Sequence, residues 1–201
     1  MGQAVRINLD DNLLVGRCRK GDSRAMESLI IKYQDRIYNI ILKMCRNPDD
    51  AAELTQDTFV KIIQNIDKFQ SRSSFYTWIF RIAVNLTINY CKRNAKMGFK
   101  SLDTEDVQEN PNARKALKVL LKDEHSSNPA VIASNKELID LIVWSLGRLD
   151  ENQRAVVVLR DIEGMNYAQM ADILGLSLGT VKSRLSRARN HLREILEETS
   201  K

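Results

Sequence analysis

Apolar residues recur every three or four positions along most of the chain, which is the spacing of one buried face on an α-helix. Across 23–46 no glycine or proline interrupts this pattern. The run Asn47-Pro48-Asp49-Asp50 then supplies a cap, a first-turn proline and two first-turn acids, a combination typical of a helix start. Apolar stripes predict that this helix runs to about residue 66 and that another spans 75–94. The first half is therefore predicted to be all-α.

Each of the two later helices is predicted to bury one face and expose another. The helix after 47–50 is expected to bury Leu54, Thr58, Phe59, Ile62, Ile63 and Ile66 and to expose Glu53, Gln56, Asp57, Val60 and Gln64. The helix at 75–94 is expected to bury Phe75, Trp78, Ile79, Ile82, Leu86 and Tyr90 and to expose Thr77, Arg81, Asn85, Ile88 and Lys92, with Trp78 and Asn89 at the margin. Cations, amides and an aromatic edge are the groups that bind unstacked single-stranded bases, although aromatics at helical spacing are usually core.

The clearest pattern lies near the C-terminus, where two apolar stripes are separated by a short turn. Tyr167, Met170, Ala171 and Leu174 form the first stripe, and Val181, Leu185, Ala188 and Leu192 form the second. Gly175 can end the first helix with a positive φ, and Ser177 can cap the second. Two short helices joined this way predict a helix-turn-helix, whose second helix enters the DNA major groove.

The second helix of this motif is predicted to turn a polar face away from the core. Ser183, Ser186, Arg187 and Asn190 point outward, Lys182, Arg189 and Arg193 lie along one flank, and Arg184 lies on the other. Small hydroxyls let the backbone approach the groove, flanking cations reach phosphates, and Arg187 can offer a bidentate fork to guanine. A solvated basic face on an ordinary helix is the plain alternative.

Composition and charge fit two small domains with a polyanionic partner. The 201 residues are 43% hydrophobic, and the net charge is +5. The run S-L-D-T-E-D-V-Q-E-N-P-N is acidic and carries turn-forming residues, so we predict a domain at 1–95, a flexible acidic linker at 96–130 and a second helical domain at 131–201.

Several classes of protein are disfavoured. The three cysteines lack a C-x-x-C pair and the two histidines are far apart, so no metal and no cofactor is expected. No signal peptide and no apolar run of membrane-spanning length is present, which indicates a cytoplasmic protein without membrane insertion. No metal-site partner set or Gly-rich phosphate loop supports an enzyme.

Two independent sets of motifs carry a family resemblance. The segment L-D-E-N-Q-R-A-V-V-V-L-R-D-I-E-G-M-N-Y-A-Q-M-A-D-I-L-G-L-S-L-G-T-V-K-S-R-L-S-R-A-R resembles region 4 of bacterial sigma factors of the extracytoplasmic-function class. The stretches C-R-K-G-D-S-R-A-M-E-S-L-I-I-K-Y-Q-D-R-I-Y, N-P-D-D-A-A-E-L-T-Q-D-T-F-V-K-I and S-S-F-Y-T-W-I-F-R-I-A-V-N-L-T-I-N-Y resemble region 2 of the same class. The resemblance implies a dissociable subunit that gives core RNA polymerase its promoter preference.

The resemblance also implies roles for particular residues. The minus-ten element would be read as a melted strand by Asn85 and Asn89, near Trp78 and Arg81, with a flipped base held by the loop of Phe69, Gln70, Ser71, Arg72, Ser73 and Ser74. Glu53, Gln56 and Asp57 would meet the β′ clamp of polymerase, and the second domain would meet the β flap. The minus-thirty-five element would be contacted as duplex by Lys182, Ser183, Arg184, Ser186, Arg187 and Asn190. Such factors are usually held inactive by an anti-sigma protein.

Three other functions remain open from sequence alone. A conventional helix-turn-helix regulator would bind duplex DNA tightly without polymerase, but the first half shows no strands and no ligand-pocket signature. A nuclease would cleave DNA with a metal ion. A pure adaptor would bind polymerase and would keep its activity after the basic helix surface was removed.

Overall fold

The computed structural model describes residues 10–70, 73–98, 141–142 and 144–199, and these form two helical bundles. The first bundle contains α1 (Asp11–Cys18), α2 (Ser23–Cys45), α3 (Pro48–Asn65), a 3₁₀ turn (Ile66–Lys68) and α4 (Phe75–Gly98). The second contains a helical segment at 144–148, α5 (Glu151–Val157), a π-helical turn (Val158–Ile162), α6 (Tyr167–Leu174) and α7 (Leu178–Thr199). No strand occurs in these ranges, which confirms the all-α prediction. The predicted linker lies outside them beyond residue 98.

Side-chain caps fix where the helices begin. The Asn47 carboxamide oxygen accepts hydrogen bonds from the backbone nitrogens of Asp49 and Asp50, and Pro48 occupies the first turn, as predicted. The Ser177 hydroxyl accepts from the backbone nitrogen of Thr180 at 3.1 Å. These caps satisfy backbone donors that have no partner within the helix. The predicted starts of α3 and α7 are confirmed.

The stripe of α7 packs as predicted, with Val181, Leu185 and Ala188 buried. In the predicted stripe of α6, Met170 is buried and Tyr167, Ala171 and Leu174 are half-buried against the core, while Ile173, which the stripe did not include, is buried. Gly175 ends α6 with a φ of 65°, so the chain turns into α7 after three residues. A residue with a Cβ would be strained at this φ. The helix-turn-helix prediction is therefore confirmed.

The burial of three residues on α3 and α4 differs from the prediction. Ile63 was expected in the core, but it is 48% exposed on α3. Conversely, Thr77 and Ile88 were expected to face solvent, but they are 5% and 8% exposed. α5 and α6 of the second bundle pack along α4, in addition to α2 and α3, so this helix is covered on more than one side. A helix covered from two sides shows no single stripe that sequence periodicity could identify.

The contact between the bundles also includes charged groups. Lys43 of α2 forms an ion pair with Glu163, which follows the π-helical turn, at 2.7 Å between Nζ and Oε1. The side chains of this pair are 10% and 12% exposed. The guanidinium group of Arg46 lies over Gly147, where an added Cβ would fall 2.1 Å from an Arg46 nitrogen.

A single arginine caps helix ends in both bundles. Arg154 donates to the carbonyl oxygens of Leu146 (2.8 Å), Gly147 (3.3 Å) and Leu149 (2.9 Å), and to that of Met44 at 2.7 Å in the last turn of α2. Carbonyl oxygens at the C-terminal end of a helix have no donor within the helix, so the guanidinium group donates the hydrogen bonds that they would otherwise lack. Burial lowers the pKa of Arg154, and the nearby Arg46 cation acts in the same direction.

Candidate nucleic-acid interface

The face of α7 opposite its core carries polar and cationic side chains. The buried side is formed by Val181, Leu185 and Ala188, which are at most 2% exposed. The exposed predicted residues are Lys182, Ser183, Ser186, Arg187 and Asn190. These five therefore share solvent-facing surface on one helix, and hydroxyl, amide and guanidinium groups are those that hydrogen-bond to base edges and phosphates.

Arg184 occupies a different position from the rest of the predicted set. It is half-buried beside a cavity of about 260 Å³ that is lined by Asp150, Asn152, Gln153, Thr180, Arg184 and Arg187. The cavity lies between α7 and the start of α5, so Arg184 faces the flank that the sequence predicted for it. A guanidinium group there is placed to approach a phosphate at the rim of a groove, and Arg187 lines the same cavity from the exposed face.

The opposite flank of α7 is less available than predicted. Arg189 was expected to reach a phosphate, but its guanidinium group forms an ion pair with Asp161 of the π-helical turn through two hydrogen bonds. That hydrogen bonding raises the pKa of Arg189. The Lys182 ammonium group lies 5.7 Å from the ring centroid of Tyr167 in α6. Thus the first helix of the motif contacts Lys182, and the π-helical turn that precedes it pairs with Arg189.

The minus-ten candidates on α4 divide into exposed and half-buried groups. Asn85 and Asn89 are exposed on one side of the helix, one turn apart. Trp78 is half-buried, with its ring centroid 5.3 Å from Phe69 and 5.7 Å from Phe75, and Arg81 is half-buried as well. The Nε of Arg81 is buried and has no hydrogen-bond partner among the described residues.

The loop before α4 rests on an aromatic cluster. Phe69 is 2% exposed and packs edge-on against Phe75 at 5.5 Å, so its side chain supports the loop from inside instead of facing a base. This corrects the predicted position of Phe69. Gln70 and Ser74 are exposed and Ser73 is half-buried, whereas Ser71 and Arg72 lie outside the described residues. The Ser74 hydroxyl accepts from the Thr77 backbone nitrogen at 3.1 Å and so caps α4.

Sequence reasoning missed the residue that holds this loop in place. The Arg19 guanidinium group donates to the carbonyl oxygens of Ile66, at 3.3 Å, and Phe69. Ile66 and Phe69 lie 47 and 50 positions after Arg19 along the chain, and Arg19 lies outside any apolar stripe. No local pattern could have linked them. Asp161, the partner of Arg189, was missed for the same reason.

The polymerase-binding candidates lie on a mixed strip of α3. Glu53, Gln56 and Asp57 are exposed, as predicted. Val60 and Ile63 extend the strip and are 49% and 48% exposed. The surface therefore offers acids and apolar contacts together, which suits a partner surface with cationic and apolar groups.

Comparison with known families decides the class of the chain. Residues 29–97 match sigma-70 region 2, and residues 144–192 match sigma-70 region 4. The chain is 32% identical over 182 residues to the ECF RNA polymerase sigma-E factor of Salmonella typhimurium, covering 90% of this chain and 91% of that protein. The chain belongs to the extracytoplasmic-function sigma factors. It is thus an alternative sigma factor that directs transcription initiation.

Further relatives match both halves of this sigma factor. The RNA polymerase sigma-H factor of Pseudomonas aeruginosa is 30% identical over 190 residues, covering 93% of this chain and 94% of that protein. The sigma factor RpoE of Bartonella quintana, solved in complex with the anti-sigma factor NepR, is 25% identical with a TM-score of 0.60 and covers 85% and 96% of the two chains. CnrH, solved with the cytosolic domain of CnrY, shares the fold with a TM-score of 0.61 at 24% identity over 94% and 97% of the chains.

Two kinds of feature are absent from the described residues. Among them, no group of three or more histidine, cysteine, aspartate or glutamate side chains is arranged to hold a metal ion. The described helices include none that is long and apolar enough to span a bilayer.

Proposed function

We propose that α7 of this sigma factor enters the major groove of the minus-thirty-five element. The observation that carries this proposal is the solvent-facing set Lys182, Ser183, Ser186, Arg187 and Asn190 on a helix whose opposite face is buried. Ser183, Ser186 and Arg187 would contact base edges, while Lys182 and Asn190 would contact the backbone. Arg184 would hold a phosphate at the rim of its cavity.

We propose that the first bundle reads the minus-ten element as a melted strand. The amides of Asn85 and Asn89 are exposed and can hydrogen-bond to an unstacked base. The described loop residues Gln70, Ser73 and Ser74 would hold a flipped base, with Phe69 as the buried support beneath them. The half-buried Arg81 lies one turn before Asn85 on α4 and would contact the DNA backbone beside these amides.

The protein partners follow from the same division of the chain. In this proposal the domain at 1–95 uses Glu53, Gln56 and Asp57, together with Val60 and Ile63, to bind the β′ clamp of core polymerase. The domain at 131–201 binds the β flap, and 96–130 links the two. Because the sigma factor RpoE of Bartonella quintana was solved with the anti-sigma factor NepR, we also propose an anti-sigma factor for this one. In this proposal the sigma factor itself acts in the cytoplasm by binding polymerase and promoter DNA, with no catalytic step of its own.

The test is abortive transcription with purified core polymerase on a promoter pool selected by the protein. Wild type should direct initiation at a defined start site. Arg187→Ala should weaken closed-complex formation, whereas Asn85→Ala should leave closed complexes intact and reduce opening, measured by permanganate reactivity of unpaired thymines. One lost side-chain contact to a base is expected to reduce binding about 5- to 100-fold.

A matched control separates specific contacts from net charge. Arg24→Ala also removes an exposed cation, but from the start of α2, and should change initiation less than twofold. If wild type gives no promoter-specific initiation while the protein alone binds duplex DNA tightly, the proposed division of labour is wrong. Equal effects of Arg187→Ala and Arg24→Ala would reject the assignment of α7.

A further inference from the structure

The first turn of α7 presents an apolar side chain beside bare backbone. Leu178 is the first residue of this helix and is 50% exposed, and Gly179, which follows it, is exposed as well. A single exposed leucine is ordinary on a protein surface, so its position decides whether it has a role. The proposed function gives these two residues none, because it assigns the bases to polar groups further along the helix.

Leu178 and Gly179 begin the exposed face of α7 that carries the predicted DNA contacts. At about 100° per residue, an arc of about 140° contains the exposed residues Leu178, Gly179, Lys182, Ser183 and Ser186. In helix-turn-helix proteins, the N-terminal residues of the recognition helix are those that contact base edges. The apolar side chain therefore lies at the end of α7 that would enter the groove.

Gly179 leaves the helix backbone open beside the leucine. A Cβ added there would lie 3.9 Å from the Ser177 hydroxyl oxygen, which is ordinary contact, and the φ of Gly179 is not in the left-handed region. Neither backbone conformation nor packing against the described residues therefore requires glycine at this position. The missing side chain instead allows a partner to approach the backbone closely.

An apolar side chain in the major groove has one specific partner. The C5-methyl group of thymine is the hydrocarbon group on a base edge there, and apolar side chains recognise thymine by contact with it. The other groups on the base edges are hydrogen-bond donors and acceptors, which the Leu178 side chain cannot satisfy. A leucine at this position thus favours thymine over the other three bases.

We propose that Leu178 recognises the methyl group of one thymine in the minus-thirty-five element, and that Gly179 leaves the space in which that base edge lies. This inference rests on the proposed function, since it requires α7 to enter the major groove. It adds a sequence preference that the polar residues of α7 do not provide. Deoxyuridine keeps every hydrogen-bonding group of thymidine and lacks only the methyl group, so the contact can be removed from the DNA alone.

The experiment measures binding of the holoenzyme to a duplex that carries the minus-thirty-five element of a promoter selected by wild type. Each thymine of the element, on either strand, is replaced in turn by deoxyuridine, and dissociation constants are measured by fluorescence anisotropy. Wild type should bind one of these duplexes about three- to fivefold more weakly, the factor expected for one methyl group removed from an apolar contact. Leu178→Ala should bind the thymine duplex more weakly by the same factor and should no longer distinguish thymine from deoxyuridine, whereas Leu178→Met should still distinguish them.

Gly179→Ala tests the close approach of the base separately. Alanine is a better helix former than glycine, so the free energy of unfolding should stay the same or increase. The added methyl group would enter the space assigned to the base, so binding to the thymine duplex should weaken at least about fivefold. Leu13→Ala is the matched control, because Leu13 of α1 is 55% exposed and lies in the first bundle, and it should change neither the affinity nor the response to deoxyuridine.

The outcomes separate this proposal from the assignment of α7. If Arg187→Ala weakens binding but no deoxyuridine duplex differs from its thymine parent, or if the selected element contains no thymine, the Leu178 contact is wrong and the proposed function stands. A response to deoxyuridine that persists in Leu178→Ala also overturns the contact, because another residue would then touch the methyl group. A folded Gly179→Ala variant that binds as tightly as wild type overturns the approach of the base to this turn. If Arg187→Ala and Arg24→Ala bind alike, the assignment of α7 fails, and this inference fails with it.

Discussion

Replacing Arg154 with methionine should destabilise the second bundle. Methionine keeps an unbranched apolar stem but removes every hydrogen bond that the guanidinium group donates. Three of those bonds end on carbonyls within the second bundle, at Leu146, Gly147 and Leu149. These carbonyls lie at a helix end where the backbone provides no other donor.

The magnitude follows from the number and kind of bonds lost. A hydrogen bond from a charged donor contributes about 1.5–3 kcal/mol, so three would contribute about 5–9 kcal/mol. Part of this is offset because burial opposes the charge of Arg154, as its lowered pKa shows, and that cost disappears with the charge. We therefore expect the free energy of unfolding to fall by about 3–5 kcal/mol, a large share of the stability of a small domain.

The assay is urea unfolding followed by tryptophan fluorescence. The chain has two tryptophans, and a Trp78→Phe background leaves Trp144, in the segment that Arg154 caps, as the sole reporter. Arg148→Met is the matched control, because this exposed arginine stacks over Trp144 at 4.7 Å, and its loss should cost less than about 1 kcal/mol. Equal midpoints for the Arg154 and Arg148 variants would refute the reasoning.

Three further predictions concern single residues. Ser177→Ala removes the cap of α7 and should lower the free energy of unfolding by about 1 kcal/mol in urea titrations; an unchanged midpoint would show that the cap is dispensable. Asp161→Asn releases Arg189 and should steepen the salt dependence of duplex binding by up to about one unit in log K against log salt, measured by fluorescence anisotropy; an unchanged slope would mean that Arg189 does not reach DNA. Burial raises the pKa of Cys45 to about 12, so at pH 8 its thiol should react slowly with iodoacetamide in the native protein and rapidly in urea. The contribution of this protonated thiol to the stability of the fold should decrease as the pH rises above the pKa of the thiol in the unfolded chain. Rapid labelling of the native protein would contradict this.

Local patterns were sufficient for elements whose stabilising contacts are close in sequence. The cap at Asn47, the turn at Gly175 and the buried stripe of α7 all depend on neighbours within about four residues, and each is confirmed. The exposed face of α7 followed from the stripe, because a helix with one buried side must expose the other.

The failures share a different physical origin. Ile88 was assigned to solvent because its helical face looked polar, but it is 8% exposed on a helix that packs against elements of both bundles. Arg189 was predicted to contact a phosphate because nothing in the local sequence indicates that this surface cation pairs with the distant Asp161. Phe69 was placed in a binding loop by resemblance, which gives a position in the chain but not the direction of a side chain. Tertiary contacts between distant residues decided all three.

The position of Arg154 has a consequence for how mutations in this chain would be tolerated. Three of its four hydrogen bonds end on carbonyls of its own bundle, and the fourth, to Met44, crosses to the first bundle. Substitutions at Arg154 would therefore act through the amount of folded protein in the cell. Substitutions at Lys43 or Glu163 would instead remove one ion pair between the bundles and leave the hydrogen bonds within each bundle in place.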